Sequence, residues 1–546
     1  MRSRSLRNRS PLLWFILPFA LGVVAGRLGL SLHPLLLLLF SLGLVGLSWR
    51  GLGWRSWAWP LCFGLAMLLA GAASYQIHRR RVAEREALPA RELEASLRCE
   101  RVFSGGKQGQ CSLIGTLQRT DAHLRELEGQ RVYVSLRLTQ GQAPPLRSEL
   151  LRVRGVLAPL LVDPEKRDFN AFLSEAGVGF RLLRCGTWRV EGAAGPYARL
   201  REAGLQAFSR ILDEGLLQRR PELAAILKAM MLGRQSELSV EQKQRYMLSG
   251  TMHLFAISGL HIAVIAAALG GLIAWLPLGS WGRFLLSAAL LWFYVDVTGA
   301  APSALRSYLM VICVQLAWLG RLPGSSLSGL CLATAWVLVL SPLDFFSAGF
   351  QMSYGIVAAL ILYGQPLTEF LLERVDPFEA VPEILRGPGQ RALEVLRVWA
   401  LPTAALSLSA GLVSLLSGIA FFGTLSHGSV LANLLMIPAS VLVIHAGFVA
   451  LVLGLAGWAA AASLFNFGAG LVLWAMDAAL AWFVGLPGVY APLVFRQAWL
   501  GGAGLGVFLL LLLACYELRW GRRGGLFWLP PLAATAFVAL AAVFPS

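Results

Sequence analysis

The stretch WAWPLCFGLAMLLAGAASYQIHRRR, residues 57–81, decides the fold. Positions 57–77 carry no charge, which suffices for one helical crossing of a hydrocarbon core about 30 Å thick, a distance that takes roughly 20 apolar residues. The arginines that end it open a charged segment reaching to about Met247. On its N-terminal side lie two more apolar runs, 12–30 and 34–49. Beyond the charged segment come ten, near 254–276, 283–298, 303–319, 326–341, 345–364, 398–422, 428–456, 458–486, 498–515 and 526–543. The run 428–456 is long for one crossing and is expected to break at Pro438. No internal repeat is visible in the sequence.

Composition agrees. The chain is 57% hydrophobic and 14% charged, against about 25% charged for an average soluble domain. A water-soluble globule of 546 residues would need more polar surface than this. The reading is a polytopic α-helical membrane protein of about 13 spans, carrying an inserted small β-barrel. Its parts are N-terminal transmembrane helices (1–78), the barrel domain (79–198), a linker with amphipathic helices (199–250) and a large transmembrane domain (251–546).

Within 79–198, alternating runs such as Val132-Tyr-Val-Ser-Leu-Arg-Leu and Leu150-Leu-Arg-Val-Arg-Gly-Val have the period of strands, and about five of them make a compact barrel. After Ala198 the pattern lengthens into helix, with 224–232 and 240–248 as amphipathic pieces. The N-terminus carries Arg2, Arg4, Arg7 and Arg9 and no acid, which places it in the cytoplasm. Three spans then put the barrel outside, and the alternation returns Arg283, Arg321, the loop 374–397 and Arg519 to the inside.

The net charge of +17 has two readings: cytoplasmic loops rich in Lys and Arg, or attraction to a polyanion. Between Arg79 and Glu222 there are 25 Lys and Arg against 18 Asp and Glu, a net of +7 that is compatible with nucleic-acid contact. Cys99 and Cys111 fall on what read as neighbouring strands in an oxidising compartment and are candidates for a disulfide, with Cys185 as a third candidate partner. The seven histidines stand at 33, 78, 123, 253, 261, 427 and 445, in no metal-ligand spacing. No metal or organic cofactor is implied.

Polar groups at membrane depth are costly and mark function. His253, Ser258, Gly259 and His261 form one cluster, with Ser258 and His261 on one helical face and Gly259 a point of close approach or breakage. It reads either as a pore-lining or gating element or as histidines hydrogen-bonded between helices. Asp296, Pro302, Ser303 and Arg306 form a second, with a helix start expected at Pro302. Arg306 suits phosphate, an ion pair with Asp296, or a snorkelling position near the helix end. Asp344, Gln351 and Ser353 form a third, Asp344 being read as a helix N-cap. Asn433 and Pro438 form a fourth, inside an apolar run.

HLFAISGLHIAVIA at 253–266, GAAPSALRSYLM at 299–310, LSPLDFFSAGFQMSY at 340–354 and ANLLMIPAS at 432–440 resemble, in order and spacing, the motifs of the ComEC-type competence channel family. The resemblance extends to the early spans and an extracytoplasmic OB-like domain. It implies a multi-pass protein of the bacterial inner membrane that passes single-stranded DNA inward, working with a DNA receptor, a nuclease and a cytoplasmic helicase-like motor. An OB-like domain grips single strands through basic grooves and stacking aromatics, for which Phe103, Tyr133, Phe169, Phe172, Phe180 and Trp188 are candidates. Many family members continue into a metallo-β-lactamase-like domain. The His-x-His-x-Asp-His cluster of that domain does not occur here, so a separate nuclease is expected and no catalytic residue is assigned. The alternatives are a transporter of another anion and an intramembrane hydrolase using Ser258 and His261, for which no third residue orients the imidazole.

Overall fold

Strand alternation in the charged segment closes a barrel. The computed structural model describes residues 12–30, 32–50, 58–83, 90–103, 110–138, 142–161, 169–175, 177–216, 218–322, 325–377, 386–520 and 525–544. β1 (Arg91–Phe103), β2 (Gln110–Arg119), β3 (Arg131–Arg137), β4 (Leu150–Pro159) and β5 (Val178–Gly192) form it in the order β1-β2-β3-β5-β4, with β4 returning to β1. The β3–β5 pair is parallel and the others are antiparallel. In β3, Val132, Val134 and Leu136 point into the core while Arg131, Ser135 and Arg137 face out, as period-2 patterning requires. A short helix α4 (Phe169–Glu175) precedes β5.

The expected disulfide is not formed: Cys99 and Cys111 are free and buried. Register explains it. Cys99 lies opposite Gly115, whereas Cys111 follows on from Ser112, the partner of Phe103 at the far end of β1. Burial, followed by the charges of Cys111 and Glu149, pushes the Cys99 thiol up to about 12.

A helix occupies each of the thirteen apolar runs. N-terminal to the barrel are α1 (Leu13–Arg27), α2 (Pro34–Arg50) and α3 (Ala58–Ala83). Following it, α5 (Pro196–Asp213), α6 (Pro221–Leu232) and α7 (Val240–Leu248) lead into α8 (Gly259–Ala274), α9 (Ser280–Val297), α10 (Pro302–Leu319) and α11 (Ser326–Leu340). Then come α12 (Ala348–Ala359) with a π-turn into α13 (Gln365–Arg374), α14 (Pro388–Phe422), α15 (Ser429–Leu455), α16 (Ala459–Val484), α17 (Ala498–Glu517) and α18 (Leu529–Ala541). Among the described residues seven spans are long and apolar enough to cross a membrane, and five more helices are apolar but shorter. The protein is polytopic.

Two expectations change here. α15 runs unbroken through Pro438, because neighbouring helices pack against it along its length and only one backbone bond is lost. The linker, too, enters the bundle. Nine of the twelve residues of α6 are buried, so it is a core helix and not an amphipathic one. Asn466 on α16 donates to the Ile211 and Glu214 carbonyls at the end of α5 (2.6 and 3.1 Å), and Tyr294 on α9 donates to the Met231 carbonyl of α6 (2.6 Å). Lys228, almost fully buried on α6, sits between Asp213 (2.9 Å) and Glu237 (2.6 Å). Such a charge is tolerable only with partners in place.

Candidate functional site

Three helix starts converge on Arg306. Ser258 is the N-cap of α8 and stands just outside the helix, so it does not share a helical face with His261, which occupies the third helical position. The Ser258 N–H donates to His261 Nδ1 (3.3 Å), and Ser258 Oγ lies 2.8 Å from the same nitrogen. A nitrogen that accepts an amide N–H carries no proton, so the hydroxyl donates to it and the imidazole proton resides on Nε2. That Nε2 is buried with no hydrogen-bond partner among the described residues. The Ser–His pair is a capping arrangement, and α8 starts at Gly259.

α10 begins at Pro302, as expected, with Ala301 as N-cap. The corner before it bends through Gly299 (φ +96°) and Ala300 (φ +48°). Ser303 Oγ donates to the Ile257 carbonyl (2.8 Å), which ties the start of α10 to the start of α8. A methyl group placed on Gly259 would stand 3.3 Å from Ser307 Oγ and 3.6 Å from Arg306 Nη2, so the glycine is where the arginine's helix passes α8.

Arg306 itself is 3% exposed. It donates to the Ser353 carbonyl and hydroxyl on α12 and to Ser307 Oγ (3.2 Å), and it lies 5.4 Å from the centre of the Tyr354 ring. Every one of these partners is neutral, and Nε has no partner among the described residues. The expected ion pair with Asp296 does not exist, and Arg306 is neither at an open vestibule nor snorkelling. Helix N-termini carry partial positive charge, so α8 and α10 add to the guanidinium rather than offset it. The result is a desolvated positive site without a carboxylate, suited to an anion.

Asp296 is engaged elsewhere. Its Oδ1 is 2.8 Å from Arg147 Nη1, on the loop between β3 and β4, and its Oδ2 is 3.8 Å from Arg201 Nη1 on α5. Burial and then the like charge of Arg147 hold the Arg201 guanidinium below its ordinary range, while Asp296 opposes both. Neither arginine stood out in the sequence. The available signal was Asp296 itself, an acid in the last turn of a helix, where the dipole disfavours it and a cation is needed.

At the third cluster the cap is Ser347, whose Oγ accepts the Phe350 N–H (3.2 Å), and not Asp344. Asp344 lies inside the preceding 3₁₀ turn, which moves the helix start three residues on. Burial raises its carboxyl above the usual range, opposed by Arg131 of the barrel. Gln351 donates to the Phe345 carbonyl (3.3 Å). Asn433 is buried in α15 with Oδ1 unpartnered among the described residues, and Pro438 lines a cavity of about 490 Å³ between α14 and α15. His253 Nδ1 is bonded locally to the Gly250 carbonyl (3.2 Å).

On the barrel, Phe103, Tyr133 and Phe169 form a ring cluster with centroids 5.3 to 6.4 Å apart, and Arg181 stands over Tyr133 and Phe169 (5.6 and 5.9 Å). Phe180 is core, and Trp188 Nε1 donates to the Arg137 carbonyl (2.9 Å). The Phe172 side chain lies outside the described residues.

Residues 230–520, which contain the whole convergence around Arg306, match the family described as competence protein. The chain belongs to the competence protein family. Competence relatives share its sequence in part: ComE operon protein 3 of Bacillus subtilis (strain 168) is 33% identical over 26% of this chain and 18% of its own length. Competence protein ComA of Neisseria gonorrhoeae is 33% identical over 25% and 21%. The uncharacterized protein YcaI of Escherichia coli (strain K12) is 32% identical over 39% and 27%. The matches thus span less than a third of each relative's length. No solved structure matches the chain.

Proposed function

We propose that this competence-family protein is a bacterial inner-membrane channel through which single-stranded DNA enters the cell. The observation that carries the reading is Arg306, a buried guanidinium with only neutral partners at the joined N-termini of two helices. Within a membrane a charge left without a counter-ion implies a ligand that supplies one, and phosphate matches the guanidinium fork. The barrel's ring cluster and basic surface support the same substrate, since single strands bind through stacking and backbone attraction together.

No catalytic step is placed in this chain. Ser258 and His261 serve as a helix cap, and the histidine has no acid to orient it, which argues against hydrolysis. A DNA receptor, a nuclease and a helicase-like motor are separate proteins in this reading.

The test is a deletion of the gene in its host, scored for transforming DNA that reaches the cytoplasm. Loss of internalised DNA with normal surface binding, restored by the wild-type gene, is the expected result. Normal internalisation would transfer the site to another anionic substrate.

A further inference from the structure

Asp296 sits where a phosphate would fit. Its two oxygens face two guanidiniums contributed by different parts of the molecule, Arg147 by the barrel loop and Arg201 by α5. The seat is built: Arg201 Nη2 also donates to the Arg147 carbonyl (3.4 Å), and the loop is pinned to β1 by Ser148 N–H to the Cys99 carbonyl (2.7 Å) and Cys99 N–H to the Glu149 carbonyl (2.9 Å). A third arginine, Arg101, is an electrostatic neighbour of Arg147. Two other acids stand near: Glu149, which caps the Leu146 N–H (2.8 Å), and Glu202, beside Arg201.

We propose that Arg147 and Arg201 form a binding seat for a nucleic-acid phosphate, which Asp296 occupies in the empty protein and yields when a strand arrives. Carboxylate and phosphate present the same oxygens to a guanidinium, so each can replace the other. Asp296 is the weaker tenant: it stands at the carbonyl end of α9, where the helix dipole opposes a negative charge. Access is available, since the Arg147 side chain is 37% exposed while Asp296 is 7% exposed.

The seat also adjoins the stacking surface. Arg101 stands 5.3 Å from the Phe103 ring, which belongs to the Phe103–Tyr133–Phe169 cluster. A strand whose bases stack there carries its backbone along Arg101 to Arg147. Releasing Asp296 frees the end of α9 and the corner through Gly299 and Ala300, which leads into α10 and Arg306. The proposal rests on the single-strand reading and adds a resting-state occupant that the strand must displace.

The experiment uses the full-length protein in lipid nanodiscs with a fluorescent oligodeoxythymidylate of about 16 nucleotides, a length within the range one OB-type barrel covers. Affinity is measured across a salt series. Asp296→Asn should bind roughly fivefold tighter or better, the low end of typical site coupling. Its log–log salt slope should steepen by about 0.7, the value of one added phosphate contact on a single strand. Arg147→Gln should bind more weakly with a slope shallower by the same amount, and adding it to Asp296→Asn should cancel the gain. The oligonucleotide should also raise the melting temperature of Asp296→Asn more than that of wild type.

Equal affinity and slope for wild type and Asp296→Asn would overturn the seat while leaving the channel reading intact. If Asp296→Asn does not fold, an unchanged slope for Arg147→Gln, a partly exposed loop residue, overturns it equally. Absence of oligonucleotide binding by every form at low salt would defeat both the seat and the single-strand reading.

Discussion

Two buried ionised groups lie close in sequence on consecutive helices, and the protein treats them oppositely. Asp296, near the end of α9, has two arginines brought from the barrel and from α5. Arg306, near the start of α10, has hydroxyls, carbonyls and an aromatic ring, and no acid. A carboxylate at a helix C-terminus and a guanidinium at a helix N-terminus both oppose the local dipole. Only the first is compensated from within the chain. The difference separates a charge that joins two parts of the fold from a charge that awaits something from outside.

The sharpest way to break this contrast is through stability. The double variant Arg147→Gln/Arg201→Gln strands a buried carboxylate and should cost on the order of 3 kcal/mol of unfolding free energy, which adding Asp296→Asn should largely restore. Arg306→Gln strands no charge and should shift stability by no more than about 1 kcal/mol. Thermal melting in detergent reads both. A large loss for Arg306→Gln would mean that its neutral partners depend on it as heavily as Asp296 depends on its arginines, and the contrast would collapse.

A smaller effect tests the cap that sets the start of α8 beside Arg306. Ser258→Ala removes one cap hydroxyl and should cost about 1 kcal/mol. His261→Gln keeps an acceptor able to reach the Ser258 N–H, as in an ordinary capping box, and should cost less. A catalytic Ser–His pair would instead lose an activity on both substitutions, with little regard to stability.

The smallest effect lies in the barrel. Cys99 is held at about 12 by burial, so at pH 8 its thiolate fraction is about one in ten thousand. Cys185, raised to about 11 by burial, behaves similarly. Both should resist alkylation in the folded protein at pH 8 and react after unfolding without any reductant. Failure to react without reductant would show a bridge.

What could be read from the sequence divides along the same line. The thirteen apolar runs were legible because a crossing needs a long uncharged stretch, and the strands because alternation has a period of 2. Barrel closure was less so: strand order depends on pairings such as β1 with β4 that no local pattern encodes. α6 was misread because an apolar stripe looks the same whether it faces lipid, water or protein, and only Asn466 and Tyr294 from distant helices reveal its burial. The cap was displaced from Asp344 to Ser347 because both residue types cap well and stand three apart. The convergence on Arg306 was partly visible in the polar residues at 258, 303, 306 and 353. The partners of Asp296 were not, because Arg147 lies 149 residues away.

The central claim is that Arg306 awaits an external phosphate, and the direct measurement is DNA uptake by cells carrying Arg306→Gln, with the amount of inserted protein measured in the same cells. The account predicts that uptake falls by roughly a hundredfold, on the scale of a lost charged hydrogen-bonding partner at about 3 kcal/mol, while the protein remains inserted at wild-type abundance. Arg306→Lys should keep part of the activity, because an ammonium still attracts phosphate but lacks the planar fork. Normal uptake at normal abundance in Arg306→Gln would contradict it.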